Sequence, residues 1–168
     1  YVTVPSKVSP VEKRVIREAA VSAGARRNAV HLIDKPFASA YGSGLPVFSP
    51  EGSMVVDVGG GTTEVAVIAL GGIVLSRSVP TAGIKMDAVI VDFIKRDHNM
   101  LIGDRMAEDI KIDWGSALPI SEERKVVVRG RDLITGLPQT AEISSNRFYE
   151  ALHGPCLMIL DAIREILD

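Results

Sequence analysis

The residues best suited to chemistry in this 168-residue chain lie in one segment, residues 57–63, which reads Asp-Val-Gly-Gly-Gly-Thr-Thr. Three successive glycines at the tip of a predicted β-hairpin let backbone N–H groups crowd around an anion, because no Cβ stands in the way. The threonine hydroxyls add donors. Asp57 ends the preceding apolar strand, where a hard cation bridged to phosphates would find a carboxylate, usually through water for Mg²⁺. The segment therefore predicts a phosphate-binding hairpin with Asp57 as its metal ligand.

The context of these glycines excludes two other phosphate loops. A helix follows the glycines in the GxxxxGK[ST] and GxGxxG loops, whereas a second apolar, β-branched run follows them here. The plain alternative is a glycine-rich hairpin with a solvated aspartate at its rim. Asp57 at the strand end, two threonines after the turn and an apolar strand on each side favour the phosphate interpretation.

Other reactive side chains give weaker signals. The three histidines share no metal-ligand spacing, so solvated or core histidines are favoured over a metal site for His31, His98 and His153. Cys156 lies on the apolar face of a predicted helix, where packing is favoured over nucleophilic chemistry. Ser43 and Ser53 lack the GxSxG context of a hydrolase nucleophile.

The elements around the hairpin alternate between helix and strand. Ser9 and Pro10 predict a helix start, with an apolar face formed by Val11, Val15, Ile16, Ala19 and Ala20 and an end near Gly24. Further helices are predicted over residues 35–41, 85–97 and 104–114, and from Ser145 to Leu167 with a weak point at Gly154-Pro155. Strands are predicted over residues 29–33, 54–58, 62–68, 73–75, 126–128 and 140–143, with a turn-rich connection over residues 129–138.

The composition is that of a globular protein. Hydrophobic residues make up 46% and charged residues 24%, which argues against intrinsic disorder. The net charge of −2 argues against a nucleic-acid partner. The single cysteine indicates a reducing, cytosolic setting. The longest uncharged stretch is too short to cross a bilayer.

Because the chain opens directly on an apolar strand pattern at Tyr1, we expect it to be a segment of a longer protein.

Motifs along nearly the whole chain resemble the MreB family of bacterial actin homologues. Residues 57–63 look like the second phosphate motif of the actin, sugar kinase and heat-shock chaperone superfamily, and residues 52–67 are closer still to MreB. The same family pattern continues in residues 4–5, 16–20, 36–46, 101–103, 107–111 and 128–133. This ordered series is far more specific than one motif.

The resemblance implies an α/β, actin-like ATPase fold, with the ribonuclease H-like core of a mixed sheet flanked by helices. It also implies a division into residues 1–50, the closing part of a first domain, residues 51–116, the inner part of a second, and residues 117–168, its outer subdomain. The first phosphate loop is expected before Tyr1 and a glycine-rich adenosine motif beyond Asp168.

The resemblance also implies a site for ATP and Mg²⁺. Asp57 and Thr62 are the implied catalytic residues, and Asp57 is the implied metal ligand. The implied nucleotide contacts are Gly59, Gly60, Gly61, Thr62, Thr63, Gly83, Glu108, Asp109, Ile110 and Lys111. Glu108 and Lys111 stand three apart, so one helical face could present both to a ligand. From spacing alone, a surface ion pair is the commoner meaning of that pattern.

Two residues depart from the family pattern. Ile84 replaces the acidic residue that usually follows the glycine at position 83, and Lys35 replaces the glutamate that usually precedes Pro36 and polarises the attacking water. A charged lysine cannot accept a proton, so slow hydrolysis is expected. The open alternative is that Lys35 faces solvent and another residue orients the water.

By this resemblance the chain is expected to belong to a cytoskeletal protein. Such a protein binds ATP, self-associates into filaments at the inner face of the cell membrane and directs cell-wall synthesis and rod shape with morphogenesis proteins as partners. The alternatives are a filament partner that binds nucleotide but hydrolyses it poorly, and another superfamily ATPase, either a chaperone or a small-molecule kinase.

Overall fold

The computed structural model describes residues 1–168, which form eight strands, five helices and one 3₁₀ turn. In chain order the elements are β1 (Val2–Val4), α1 (Pro10–Ser22), the 3₁₀ turn (Arg27–Ala29), β2 (Leu32–Asp34), α2 (Lys35–Gly42), β3 (Ser53–Val58), β4 (Thr63–Ala69), β5 (Gly72–Val79), α3 (Gly83–His98), β6 (Met100–Leu101), α4 (Asp104–Trp114), β7 (Lys125–Asp132), β8 (Pro138–Ser144) and α5 (Ser145–Leu167).

The chain divides into two compact units. The first unit comprises Tyr1–Val58, Thr62–Pro80 and Asp161–Asp168, and the second comprises Gly59–Gly61 and Thr81–Leu160. The parallel and antiparallel pairings lie in separate sheets, one of two strands and two of three strands. The division near residues 50 and 116 that the family resemblance implies stays a prediction.

The first unit contains a parallel pair, β1 with β2, and the antiparallel meander β3-β4-β5. The central strand β4 is almost fully buried, which explains why its residues 65–69 are apolar on both faces rather than alternating. Ala40, Val47 and Ile68 form the core of this unit. The predicted meander and the predicted α2 are therefore confirmed.

Helix α1 begins as the sequence predicts. The Ser9 hydroxyl accepts a hydrogen bond from the Glu12 N–H, and the Glu12 carboxylate accepts one from the Ser9 N–H, which together form a capping box. The predicted apolar face is not a core face, however. Val11 and Val15 are 71% and 61% exposed, because no element of the first unit covers that side of the helix.

The second unit packs α3, α4 and most of α5 against the antiparallel sheet β6-β7-β8. Its core contains Ile90, Met100, Val128 and Phe148, all fully buried. The rings of Phe93 and Phe148 meet edge to face with their centroids 6.0 Å apart, a favourable aromatic geometry. The predicted helices 85–97 and 104–114 are confirmed as α3 and α4.

Several predicted element boundaries were wrong. The strand predicted over residues 29–33 begins only at Leu32, because Ala29 belongs to the 3₁₀ turn. The turn-rich connection over residues 129–138 is much shorter, since β7 extends to Asp132 and β8 begins at Pro138. Helix α5 is confirmed over Ser145–Leu167, and it continues through Pro155. The two-residue strand β6 was not predicted. None of the helices is both long enough and apolar enough to span a bilayer.

Candidate functional site

The glycine segment forms the tip of the β3–β4 hairpin. Val58 and Thr63 are the last paired residues of the two strands, and residues 59–62 make the connection between them. The sequence predicted this geometry from two apolar strands joined by glycines. Gly60 and Gly61 are exposed, so the tip is accessible to a ligand.

The tip is oriented by the start of α3. The Gly83 N–H donates to the Gly59 carbonyl at 3.1 Å, and the Ile84 N–H donates to the Gly60 carbonyl at 2.8 Å. The carbonyl oxygens of the tip thus cap the first N–H groups of α3, a helix whose N-cap residue, Ala82, supplies no side-chain acceptor.

This orientation fixes the direction of two donors. In a planar trans peptide the C=O and N–H groups point in opposite directions. Because the Gly59 and Gly60 carbonyls point to α3, the N–H groups of Gly60 and Gly61 point away from that helix, and no protein acceptor receives them. Two adjacent free N–H groups on an exposed tip form a place for an anion.

Neither backbone strain nor internal packing requires glycine at position 61. Gly61 does not have a positive φ, and a Cβ placed there would meet nothing within 4 Å. The missing side chain instead leaves open space beside a free N–H. Gly83 is different, since a Cβ there would lie 3.3 Å from Lys111 Nζ and 3.5 Å from the Gly59 carbonyl oxygen.

Lys111 lies between α4 and the start of α3. Its ammonium is 2.8 Å and 3.0 Å from the two carboxylate oxygens of Asp87 and 3.4 Å from the Gly83 carbonyl oxygen. The Lys111 side chain is only 20% exposed, so this pair is well sheltered. Lys111 and Gly83 were predicted from the sequence, whereas Asp87, which follows Gly83 by one helical turn, was not.

Glu108 and Asp109 line an open groove of about 690 Å³ in the second unit, together with Ile84, Asp87, Asp104, Arg105 and Ile112. Glu108 and Asp109 are exposed there, whereas Ile110 is buried in the core with 3% of its surface exposed. The Ile110 side chain is therefore not available to a ligand and instead anchors α4.

The first unit holds the carboxylate that precedes the glycines. Asp57 Oδ1 accepts a hydrogen bond from Lys35 Nζ at 2.8 Å, and Asp57 Oδ2 accepts one from the Ser39 hydroxyl. Lys35 and Ser39 are one helical turn apart at the start of α2, so they approach Asp57 from the same helical face.

The Lys35–Asp57 pair is largely sheltered, since the Lys35 side chain is 30% exposed and the Asp57 side chain 16%. Burial acts to raise the pKa of the Asp57 carboxyl, but the hydrogen bonds from Lys35 and Ser39 and the positive charge of Lys35 lower that pKa below its usual value. Asp57 is thus ionised at neutral pH. The alternative that Lys35 simply faces solvent is wrong.

Glu64 is a buried acid that the sequence analysis did not single out. It lies directly opposite Asp57 in the β3–β4 pairing and is fully buried. Its Oε1 accepts a 3.3 Å hydrogen bond from the Ser6 N–H, and its Oε2 has no partner. Burial raises the pKa of Glu64, and the nearby negative charge of Asp57 adds to that effect. The hydrogen bond from Ser6 and the positive charge of Lys35 oppose it.

The predicted site residues thus fall into two groups. The second unit brings together Gly59, Gly60, Gly61, Gly83, Glu108, Asp109 and Lys111. The first unit contains Asp57, Thr62 and Thr63, of which Thr62 is half-buried and Thr63 fully buried at the start of β4. Their roles toward a nucleotide stay predictions.

The residues that sequence reasoning missed had only weak signals. The one-turn spacing of Lys35 and Ser39, and of Gly83 and Asp87, could have placed each pair on one helical face. The pairing of Glu64 with Asp57 follows from the hairpin register once the four-residue turn is assumed. Nothing in the sequence indicated that Lys35 would reach Asp57 from a different element.

Comparison with known proteins gives matches over the length of this chain. The MreB/Mbl protein family model matches residues 1–168. The cell shape-determining protein MreB of Escherichia coli K12 is 48% identical over 167 residues, which cover 99% of this chain and 48% of that protein. The chain therefore spans about half the length of the curated relatives it matches.

Solved structures agree with that match. The crystal structure of MreB5 of Spiroplasma citri bound to AMPPNP superposes with a TM-score of 0.91 at 35% identity, over 98% of this chain and 49% of that one. The MamK double helical filament superposes with a TM-score of 0.73 at 20% identity, over 98% of this chain and 48% of that one, which supports the fold alone. The predicted actin-like α/β fold is confirmed, and the chain belongs to the MreB/Mbl family.

Proposed function

We propose that this chain is part of an actin-like cell-shape protein that binds ATP and assembles into filaments. The observation that carries the nucleotide proposal is the pair of free N–H groups at Gly60 and Gly61, which point away from α3 on an exposed tip. Phosphate oxygens are the ligands that such adjacent backbone donors suit best. The MreB5 structure that superposes on this chain was determined with a nucleoside triphosphate analogue bound.

The groove in the second unit supplies the rest of the proposed nucleotide contacts. Glu108 and Asp109 offer exposed carboxylates, which can accept hydrogen bonds from ribose hydroxyls and an adenine amino group. Lys111 holds Asp87 and the Gly83 carbonyl, so its proposed role is to fix the start of α3 beneath the nucleotide.

The donor set at Asp57 does not fit a directly bound magnesium ion. Mg²⁺ requires several oxygen ligands in octahedral geometry, whereas both Asp57 oxygens already accept hydrogen bonds, one of them from an ammonium group. The expected participation of Mg²⁺ is therefore proposed only through water molecules and phosphate oxygens of the nucleotide itself.

Slow hydrolysis is part of the proposal. Water attack on a γ-phosphate needs a group that takes the proton of the water, and a lysine ammonium paired with a carboxylate cannot accept one. Asp57 is also engaged by Lys35 and Ser39 on both oxygens. This arrangement favours a protein that holds ATP for long periods over a rapid ATPase, whether as the main filament subunit or as a hydrolysis-poor partner.

The cellular role is proposed from kinship. The E. coli relative carries the name cell shape-determining protein. We propose the same role here, with filaments in the cytoplasm at the inner face of the membrane and with proteins of cell-wall synthesis and morphogenesis as partners.

Two measurements on the complete protein test this function. Calorimetric titration with ATP should show saturable binding, and sedimentation with electron microscopy should show ATP-dependent filaments. Absence of both binding and filaments would refute the proposal. Phosphorylation of a small molecule by the complete protein would favour a kinase of the same superfamily instead.

A further inference from the structure

The start of α3 is capped by backbone groups of the glycine tip rather than by a side chain. Its N-cap residue, Ala82, is fully buried and has no side-chain acceptor. The Gly59 carbonyl accepts from the Gly83 N–H at 3.1 Å, and the Gly60 carbonyl accepts from the Ile84 N–H at 2.8 Å. All of these residues belong to the second unit. The first turn of α3 therefore depends on the tip for its caps.

The same two peptide groups carry the free donors of the tip. One peptide group consists of the Gly59 carbonyl and the Gly60 N–H, and the next consists of the Gly60 carbonyl and the Gly61 N–H. In each group the carbonyl is bonded to α3, whereas the N–H points the other way and has no protein acceptor. A ligand that accepts these N–H groups therefore acts on the peptide groups that hold the helix.

Hydrogen bonds on the two sides of a peptide group strengthen each other. A bond at one end polarises the amide, which makes the other end a better donor or acceptor. The first N–H groups of α3, a helix of 16 residues, also carry the partial positive charge of the helix dipole. An anion at the free tip N–H groups thus strengthens both capping bonds, and α3 in turn makes those N–H groups better donors.

We propose that the two tip peptide groups transmit phosphate binding to α3, so that the first turn of this helix becomes more stable when the phosphate site is filled. The inference rests on the proposed nucleotide binding and names the element that responds to it. Gly83 and Ile84 are positioning residues, because their N–H groups act on the ligand only through the tip. By linkage, a more stable first turn also raises the affinity for phosphate.

The response is confined to the beginning of the helix. One turn after Gly83, the Asp87 carboxylate lies 2.8 Å from Lys111 Nζ on α4. Ile90 follows and is fully buried in the core of the second unit. These contacts hold the helix from Asp87 onward, so residues 83–86 are the part of α3 whose stability depends on the tip.

The first test measures amide hydrogen exchange in the complete protein, with and without saturating ATP, below the concentration at which sedimentation detects polymer. Exchange of the Gly83 and Ile84 amides should slow by about fivefold or more with ATP. The first turn of α5, residues 145–148, is not capped by the tip and should change much less.

Three results would contradict the proposal. Unchanged exchange at the start of α3 in a protein that binds ATP by calorimetry would overturn the inference and leave the proposed function standing. Equal slowing at the starts of α3 and α5 would also overturn the inference, because it would show a general stabilisation. Absence of ATP binding would overturn both.

The second test removes one capping donor. Ile84→Pro eliminates the N–H that bonds to the Gly60 carbonyl, at a helix position where proline is tolerated. Helix α2 of this chain already has a proline, Pro36, as its second residue. The matched variant is Ile84→Ala, which removes more of the side chain but keeps the N–H. The Ile84 side chain is 67% exposed, so neither change empties the core.

Calorimetry compares ATP binding by these two variants. The dissociation constant of Ile84→Pro should exceed that of Ile84→Ala by about fivefold or more, which corresponds to the loss of one hydrogen bond. Equal dissociation constants would overturn the inference. If Ile84→Pro fails to fold, as judged by circular dichroism, the exchange measurement on the unmodified protein decides.

Discussion

Lys35 and Asp57 decide much of the proposed chemistry. Lys35 donates a hydrogen bond to the Asp57 carboxylate, and it stands where the family pattern has a glutamate that could accept a proton. Lys35→Glu would replace the ammonium by a carboxylate that can orient a water molecule. We expect phosphate release from ATP by the complete protein to rise by about 10²-fold or more. The measurement is steady-state phosphate release at saturating ATP.

The control for this experiment is Lys125→Glu, which makes the same charge change at an exposed ion pair. It should leave the rate unchanged. Equal and rapid phosphate release by the unmodified protein and Lys35→Glu would contradict the proposed slow turnover, and another group would then have to orient the water.

A second prediction at the residue scale concerns Glu64, because its pKa is raised in the folded state. A raised pKa means that the folded protein binds the proton more tightly than the unfolded chain does. The stability from this acid is thus fully present below its usual pKa of 4.5 and is lost as the pH rises through the folded value. Glu64→Gln, which cannot ionise, should raise the melting temperature at pH 7 and have a smaller effect near pH 4.

Thermal unfolding followed by circular dichroism across this pH range measures the effect. Glu142→Gln is the matched control, because the Glu142 side chain is 59% exposed and paired with Lys125. It should change the melting temperature little at any pH. A Glu64→Gln variant that is less stable than the unmodified protein at pH 7 would show that the ionised form is stabilised after all.

At the scale of elements, the β3–β4 hairpin and the start of α3 act together, because the tip carbonyls cap the helix and leave two N–H groups free. Gly61→Ala should leave the fold intact, since the position has no positive φ and its Cβ would meet nothing within 4 Å. The added methyl group would stand beside the proposed phosphate position. We expect ATP affinity to fall by about tenfold or more, measured by calorimetry.

Gly154→Ala in α5 is the control for that prediction. A Cβ at position 154 also meets nothing within 4 Å, and alanine favours a helix by about 1 kcal/mol over glycine. This variant should be at least as stable as the unmodified protein and bind ATP equally well. Equal ATP binding by Gly61→Ala would argue against the tip as the phosphate site.

At the scale of the whole molecule, stability depends on two separate cores, one in each unit. Phe148 is fully buried and packs edge to face on Phe93, so Phe148→Ala should lower the free energy of unfolding by about 3–5 kcal/mol. Leu137→Ala removes a side chain that is 64% exposed and should cost well under 1 kcal/mol. Urea denaturation of the complete protein measures both, and similar costs for the two variants would contradict the assigned core.

The sequence by itself determined the elements that carry the site. Alternation, glycine turns and helical spacing predicted the meander, α2, α3 and α4, because each depends on residues close together in the chain. The same local signals identified the glycine tip and its flanking Asp57. The ordered motifs also identified the family, which the comparisons confirmed.

Only the tertiary structure decided which side chains meet. The Lys35–Asp57 pair joins residues 22 positions apart, and Lys111 meets Asp87 from another helix. The local sequence pattern also did not predict that Glu64 is buried or that Val11 and Val15 are exposed. Contacts and burial depend on how distant elements pack, whereas helical and strand periods are set by the backbone geometry of neighbouring residues.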